Sequence, residues 1–366
     1  MISASMIRLD LKLPESSYPL FIGEGAVREL PSFLKERNYS SVVILTDTNV
    51  GPLIVPMVQK HMPQPVAVIT VPAGESHKSV ETLAAVWTHL QEKGTDRKSL
   101  LLNVGGGVIG DLGGFAASTY MRGIDFVQVP TSLLAQVDAS VGGKTGIDHN
   151  DVKNLVGTFT QPKAVVIDIN FLRTLPSREY ISGFAEIIKH GIIADPESFE
   201  LASVKSPRDF SGEELTKLIH LSCSTKARIV EKDEIESGLR KLLNFGHTAG
   251  HAIESLALGT TTPLTHGEAV SIGMVIEAKL SQLLGKLHSK DFKRIEDGLI
   301  RASLPTRYEG AAPKEEIWRL IRSDKKSTKG EIAWALPTAI GHAEPEVIAP
   351  ENLVTEALKF ALPKYV

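Results

Sequence analysis

Through the first half of the chain, short apolar runs alternate with amphipathic stretches. Residues 7–13, 18–22, 41–46, 66–71, 99–104, 126–129 and 164–169 are runs rich in Val, Ile, Leu and Phe, and they read as strands. Between them, residues 24–36, 56–61 and 79–93 place apolar side chains at helical spacing, and the glycines that end the 99–104 run open another helix. Strands alternating with helices predict right-handed βαβ units and a largely parallel sheet. Beyond residue 176 the period changes. Residues 178–193, 213–231, 267–284 and 290–302 are helical by pattern, as is 241–254. One late β run covers 331–336, and a last helix covers 351–360. The expected fold is α/β followed by all-α. A Rossmann-like nucleotide-binding α/β domain would span residues 1–176, and an α-helical domain residues 177–366.

Composition narrows the class without changing this picture. The chain has 366 residues, 42% hydrophobic and 23% charged, as in ordinary globular proteins. A net charge of −3 argues against a general nucleic-acid binder, so any cationic site must be local. Cys223 is the single cysteine, which excludes an intrachain disulfide and fits a reducing compartment. Arg8, Asp10 and Lys12 interrupt the N-terminus, and no segment approaches the roughly 20 apolar residues of a membrane span. A soluble cytoplasmic protein is the expectation, with no membrane and no nucleic acid among its partners.

The candidate chemistry centres on Lys241-Leu-Leu-Asn-Phe-Gly-His-Thr-Ala-Gly-His-Ala-Ile-Glu254. His247 and His251 stand at i,i+4 and so share one helical face. His266 opens the next helical run, and Glu186 lies in the helical stretch Gly183-Phe-Ala-Glu-Ile-Ile-Lys-His190. Three His and carboxylate ligands with one position left for substrate make a catalytic metal site. Spacing alone leaves open which two histidines would bind. Asn244, Gly246, Thr248 and Gly250 are poor helix-interior residues, so something local must offset their cost.

Gly105-Gly-Gly-Val-Ile-Gly-Asp111 follows a strand, opens a helix and matches G-x-G-x-x-G, the pattern that offers backbone N–H groups to a pyrophosphate. It follows a later apolar β run rather than the first, so it reads as a non-standard nicotinamide nucleotide site, with Asp47 available for a ribose hydroxyl. Asp111 could equally serve the helix N-terminus. Gly142-Gly-Lys-Thr-Gly146 is a second glycine-rich loop, and it lacks the spacing of a Walker A loop. Lys144, Lys153, Asn154, Lys189, Lys226, Arg240, Lys325 and Lys326 could together receive an anion carrying phosphate and carboxylate. Asp138 sits in an otherwise apolar run, which implies a partner or a function. Glu236 and Arg240 are spaced as a helical ion pair, and Glu268 could serve the helix dipole.

Taken together, these motifs resemble the 3-dehydroquinate synthases. The resemblance rests on Gly105 through Ala117, Tyr120 through Gly146, Lys153-Asn-Leu-Val-Gly157, Ala185-Glu-Ile-Ile-Lys189, Leu243 through His251, His266-Gly-Glu268 and Asp324-Lys-Lys326. It implies conversion of 3-deoxy-D-arabino-heptulosonate 7-phosphate to 3-dehydroquinate, with NAD and a divalent metal, zinc or cobalt, in a homodimer. The metal ligands it implies are Glu186, His247 and His266, which turns His251 toward the substrate phosphate. NAD contacts would be Asp47, Asn49, Gly74, Glu75, Lys78, Gly106, Gly107, Val108, Gly110, Asp111, Thr131, Ser132, Lys144, Lys153, Phe171 and Thr174. Substrate contacts would be Asp138, Lys144, Asn154, Lys189, Lys226, Glu236, Arg240, Asn244, His251 and Lys326 or Lys325. Arg122 would reach the phosphate pocket of the other subunit. Asp148-His-Asn-Asp-Val152 departs from the Asn-x-x-x-Gly usual in the family, which bears on the local loop contact to NAD. Other carbocycle-forming sugar-phosphate cyclases, of the aminodehydroquinate or deoxy-inosose type, and the glycerol-type metal-dependent NAD alcohol dehydrogenases are the competing enzyme readings. A nucleotide-sensing module without catalysis would need a missing ligand or lysine, and none is missing.

Overall fold

The computed structural model describes residues 6–62, 66–150, 152–323 and 332–366. The chain divides into two compact units, residues 1–176 with 212–227, and residues 177–211 with 228–366.

The first unit begins with β1 (Ile7–Leu11) and β2 (Tyr18–Gly23) and continues through α1 (Leu30–Arg37), β3 (Val42–Asp47), α2 (Gly51–Gln59), β4 (Ala67–Val71) and α3 (Val80–Glu92). Then come β5 (Leu100–Gly105), α4 (Gly107–Thr119), β6 (Asp125–Pro130), β7 (Lys144–His149), β8 (Val152–Phe159) and β9 (Val165–Asp168). Seven strands form one sheet in the order β1-β2-β9-β6-β5-β3-β4, parallel except for the β1–β2 pair. β5 is buried at every position, as a central strand covered on both faces must be, and this is why it reads as a continuous apolar run. One apolar layer gathers Phe33, Ile54, Leu102 and Val166, and the opposite layer gathers Leu45, Val86, Leu101 and Leu112. The register pairs Gly105 with Pro130 and Asp47 with Val71. The glycine-rich turn, Thr131, Asp47 and the Gly74–Lys78 segment therefore all leave the carboxyl edge of the sheet, where ligands of open α/β sheets bind.

The remaining elements are α5 (Ser177–Ala194), α6 (Pro196–Ala202), α7 (Gly212–Lys232), α8 (His247–Leu258), α9 (His266–Leu283), α10 (Ser289–Arg301), α11 (Lys314–Ser323), β10 (Ala333–Ala339), β11 (His342–Ile348) and α12 (Glu351–Ala361). β10 and β11 form a separate antiparallel ribbon. No helix among the described residues is long and apolar enough to cross a membrane.

A single division between residues 176 and 177 does not describe the chain, because residues 212–227 of α7 group with the first unit. Cys223 donates to the Gln136 carbonyl (3.3 Å) and Lys226 bonds Asp138 from the same helical face. A helical period shows that a segment is helical and not which neighbour it packs on. Burial pushes the Cys223 thiol up to about 12, so this cysteine is an inert core residue.

Candidate active site

In the first unit, Gly106 caps α4 without a side-chain acceptor, so the first-turn N–H groups face outward with the positive end of the helix dipole. The glycines here divide by role. A Cβ on Gly105 would lie 2.5 Å from Ile109 Cβ, and one on Gly113 would lie 2.1 Å from Asn103 Oδ1, so packing alone demands both. A Cβ on Gly106 or Gly107 would meet protein only at 3.6 Å or 3.5 Å, which is ordinary contact. Bare backbone at 106 and 107 is thus not required by the fold, as suits a loop that a pyrophosphate approaches closely. The residues present fit a dinucleotide.

Asp47 Oδ1 accepts from the N–H groups of Asn49 (2.8 Å) and Val50 (2.9 Å), holding the turn that follows β3. Lys78, 3% exposed, sits among Asp111 (3.0 Å), Glu75 (3.2 Å) and Asp148 (3.8 Å). Burial works against its charge, but these carboxylates outweigh burial and raise its pKa. Asp111 therefore serves Lys78 rather than the end of α4, whose first turn it lies beyond. Gly74 stands at φ 114° before Glu75. Thr131 donates its N–H to Gly105 O (2.9 Å), and Ser132 Oγ accepts from Ala135 N (3.3 Å). Phe171 is a core side chain, 1% exposed, so a contact to a nucleotide there falls to its backbone or to exposed Thr174. Val108 and Gly110 lie in the first turns of α4.

Residues 135–139 form a π-helical turn that carries Asp138, a geometry enriched at functional sites. Lys226 donates to both Asp138 Oδ1 (2.6 Å) and its carbonyl (2.7 Å). Gly142 and Gly143, at φ 95° and 70°, aim Lys144 outward at the start of β7. Asn154, also at positive φ, donates its N–H to Asp148 Oδ1 (2.7 Å), and Asp148 N donates to Lys78 O (2.8 Å). The departure at 148 thus braces Lys78 and Asn154. Lys153 is exposed on β8. Arg122 is exposed and left-handed, at φ 69°.

In the second unit, Glu186 on α5 is fully buried and ion-paired with buried Lys189 one turn on. Its Oε1 lies 3.7 Å from His247 Nε2 on α8 and 3.7 Å from His266 Nε2 on α9. All three donors lie within 4.8 Å of one another, a spacing that suits ligands bound at about 2.0–2.2 Å to one zinc-class ion. His247 Nδ1 bonds the Phe245 carbonyl (3.1 Å) and His266 Nδ1 faces Glu254 Oε2 (3.6 Å). Such partners orient a ligating imidazole and leave Nε2 for the metal. Burial and nearby Lys189 push His247 well below its usual range. For His266, burial is outweighed by Glu186 and Glu254, which raise it to about 9. An incoming cation would displace that proton. The residues fit a divalent metal. His251 also closes a group with Glu254 and His266, and its ring lies 5.2 Å from that of His247.

Close packing of α8 on α9 produces this convergence. A Cβ on Gly273 would lie 1.9 Å from Gly246 O, and one on Gly250 would lie 3.0 Å from Ala269 O. The helix-weakening glycines thus bring two histidine-bearing helices together.

Glu236 and Arg240 are not a pair on one helix. Asp233 accepts from Ser237 N (2.8 Å), Gly238 N (2.7 Å) and Arg240 N (2.9 Å), folding residues 233–240 into a loop with Glu236 at φ 61°. Asn244 Nδ2 donates to Glu236 Oε1 (2.8 Å), and buried Arg240 donates to the Glu234 carbonyl. Asp233 was not singled out from sequence, nor was Glu254. Glu268 completes a capping box with Thr265 and binds Arg178. Lys325 and Lys326 lie outside the described residues.

Burial opposes the charge on Asp233, but the N–H groups of Arg240, Gly238 and Ser237 outweigh it and hold the pKa near about 2. A depressed carboxylate stabilises the fold above its ordinary pKa of about 4 and loses that contribution as pH falls through about 2. Asp233→Asn is therefore expected to be less stable at pH 7. In urea titrations its deficit should shrink between pH 4 and pH 2; a constant deficit would refute the assignment.

A carboxyl-edge glycine turn in a parallel-sheet unit and a Glu-His-His cluster in a helical unit define a nucleotide- and metal-dependent enzyme. The chain belongs to the 3-dehydroquinate synthase family. Residues 68–182 match the family model for the 3-dehydroquinate synthase N-terminal part, and residues 183–327 match that for the C-terminal part. The 3-dehydroquinate synthase of Vibrio atlanticus (strain LGP32) is 41% identical, over 97% of this chain and 99% of that one. Among solved structures, a 2-deoxy-scyllo-inosose synthase complexed with carbaglucose-6-phosphate, NAD+ and Co2+ superposes with a TM-score of 0.87 at 23% identity, covering 97% of this chain and all of that one. The 2-epi-5-epi-valiolone synthase of Streptomyces hygroscopicus subsp. jinggangensis 5008, with NAD+ and Zn2+ bound, has a TM-score of 0.84 at 28% identity, covering 96% and 98%.

Proposed function

We propose that this chain converts 3-deoxy-D-arabino-heptulosonate 7-phosphate into 3-dehydroquinate and inorganic phosphate, regenerating NAD in every turnover. The observation that carries this reading is the convergence of Glu186, His247 and His266 beside buried Lys189. When bound, NAD supplies a reversible hydride acceptor at a ring alcohol carbon, and a zinc or cobalt ion supplies Lewis-acid polarisation of substrate oxygens.

The chain's own residues bind and orient. Bare backbone at Gly106 and Gly107 and the open end of α4 receive the pyrophosphate, and Lys78 with Asp111 braces the segment beside it. Asp47 and Asn49 hold the ribose side. Glu186, His247 and His266 ligate the ion, while Glu254 and the Phe245 carbonyl fix the imidazoles. The substrate contacts that belong to this reading, for a molecule bearing carboxylate and phosphate, are Lys144, Asn154, Asp138, Lys226, Lys189, Glu236, Arg240, Asn244 and His251. Charge-assisted bonds to both anionic groups hold the open chain in the conformation that closes to the carbocycle. The proton removed during β-elimination goes to the departing phosphate, so no dedicated side-chain base is needed for that step.

A homodimer is part of this reading. Met121, Val152, Leu155, Val156 and Phe159 are 40–51% exposed, next in sequence or in the same hairpin to Arg122 and Lys153. Covering these apolar side chains with a second copy would present Arg122 to the other subunit's substrate phosphate. Sedimentation at the mass of one chain would refute it. A cytoplasmic location accords with a chain whose single cysteine, Cys223, is buried and forms no disulfide.

With the heptulosonate phosphate as substrate, exhaustive chelation or omission of NAD is expected to abolish phosphate release, and added zinc or cobalt to restore it after chelation. Full activity after metal removal would overturn the metal assignment. Accumulation of NADH from a neutral polyol would favour an alcohol dehydrogenase, and a nitrogenous or deoxygenated carbocycle would favour another cyclase.

A further inference from the structure

Glu277 is a carboxylate with no exposed surface, set midway along α9 between Ile276 and Ala278. A buried carboxylate is retained only with strong partners. Its Oε2 accepts from Gly246 N (2.6 Å) and its Oε1 from Ala249 N (3.1 Å). These are the N-cap and third-residue N–H groups of α8, the two donors that a local capping box would satisfy. Gly246 has no side chain with which to cap, and it cannot acquire one. A Cβ there would lie 2.5 Å from Met274 Cγ, in a residue already at φ 79°. The neighbouring helix therefore supplies the cap, with a negative charge at the positive end of the α8 dipole.

The first residue of the helix so capped is His247. It departs from the turn that Glu277 grips, and its Nε2 faces Glu186. The geometry points to Glu277 as a positioning residue for the metal ligand His247, acting across helices rather than touching the ion or the substrate. Gly273, one turn earlier on α9, meets the Gly246 carbonyl, so the two contacts fix both the height and the rotation of the α8 start. The inference rests on His247 being a ligand, and the experiment separates the two.

Zinc and cobalt affinities of the full chain are measured by chelator competition for the parent, Glu277→Gln, Glu277→Asp and His247→Ala, with circular dichroism and NAD affinity measured in parallel. Glu277→Gln keeps the volume but turns an acceptor into a donor facing an N–H. It is expected to weaken metal binding by about 10–100-fold, the range for groups that orient a ligand, with NAD affinity unchanged. Glu277→Asp should fall between it and the parent, and it takes the place of Glu277→Gln if that variant does not fold. Metal affinity within about twofold of the parent in a folded Glu277 variant, while His247→Ala loses metal, overturns the positioning role and leaves the ligand set standing. Unchanged affinity in His247→Ala overturns the ligand set itself.

Discussion

Glu186→Ala is expected to abolish turnover and to weaken zinc or cobalt binding by more than about 100-fold, beyond what loss of a merely orienting group costs. The side chain supplies the negative charge of the cluster, and its Oε1 is equidistant from the two imidazoles, at 3.7 Å. Removing it leaves Lys189 buried without the carboxylate that offsets its charge, beside two histidines. A divalent cation would then meet a net positive site. Chelator competition measures the affinity, and phosphate release measures the turnover. NAD affinity should stay at the parent value, because every nucleotide-binding residue proposed lies in the other unit. Parent-like metal affinity in this variant would refute the ligand assignment.

Gly273→Ala is expected to damage stability and metal binding together. Its Cβ would lie 1.9 Å from Gly246 O and 2.7 Å from Gly250 N, both backbone atoms that no rotamer change can move. Overpacking of this kind costs about 3 kcal/mol or more, or about 6–12 °C in Tm for a unit of this size. The only relief is to separate α8 from α9, which draws His247 away from His266. Thermal unfolding with and without zinc checks this: the variant should melt lower and gain less from the metal than the parent does. An unchanged Tm would show that the contact has slack.

The parallel sheet was legible in the sequence because its strands are buried on both faces, as β5 is at all positions, and so appear as continuous apolar runs. The β7–β8 hairpin was not. β8 is exposed almost throughout and opens near Lys153-Asn154, so it has neither an apolar run nor a clean alternation. β11 was hidden by Pro345, which an edge strand tolerates. In the site, Glu186, His247 and His266 could be named from the family resemblance, but spacing alone left open which two histidines would bind, since an i,i+4 period describes only one helix. The Glu236–Arg240 spacing misled for a related reason. It assumed a helix where Asp233 gathers three N–H groups into a loop, a long-range acceptor that periodicity does not reveal. Glu277 was within reach, because an acid embedded in an apolar helix is the same signal that singled out Asp138.

The central claim is a reaction with internal oxidation and reduction but no net redox change. The most direct measurement is the mole ratio of accumulated NADH to released phosphate when the chain, with NAD and zinc, consumes the heptulosonate phosphate to completion. The account predicts a ratio near zero, with one dehydroquinate per phosphate. A ratio near one, or phosphate released without a carbocycle, would contradict it.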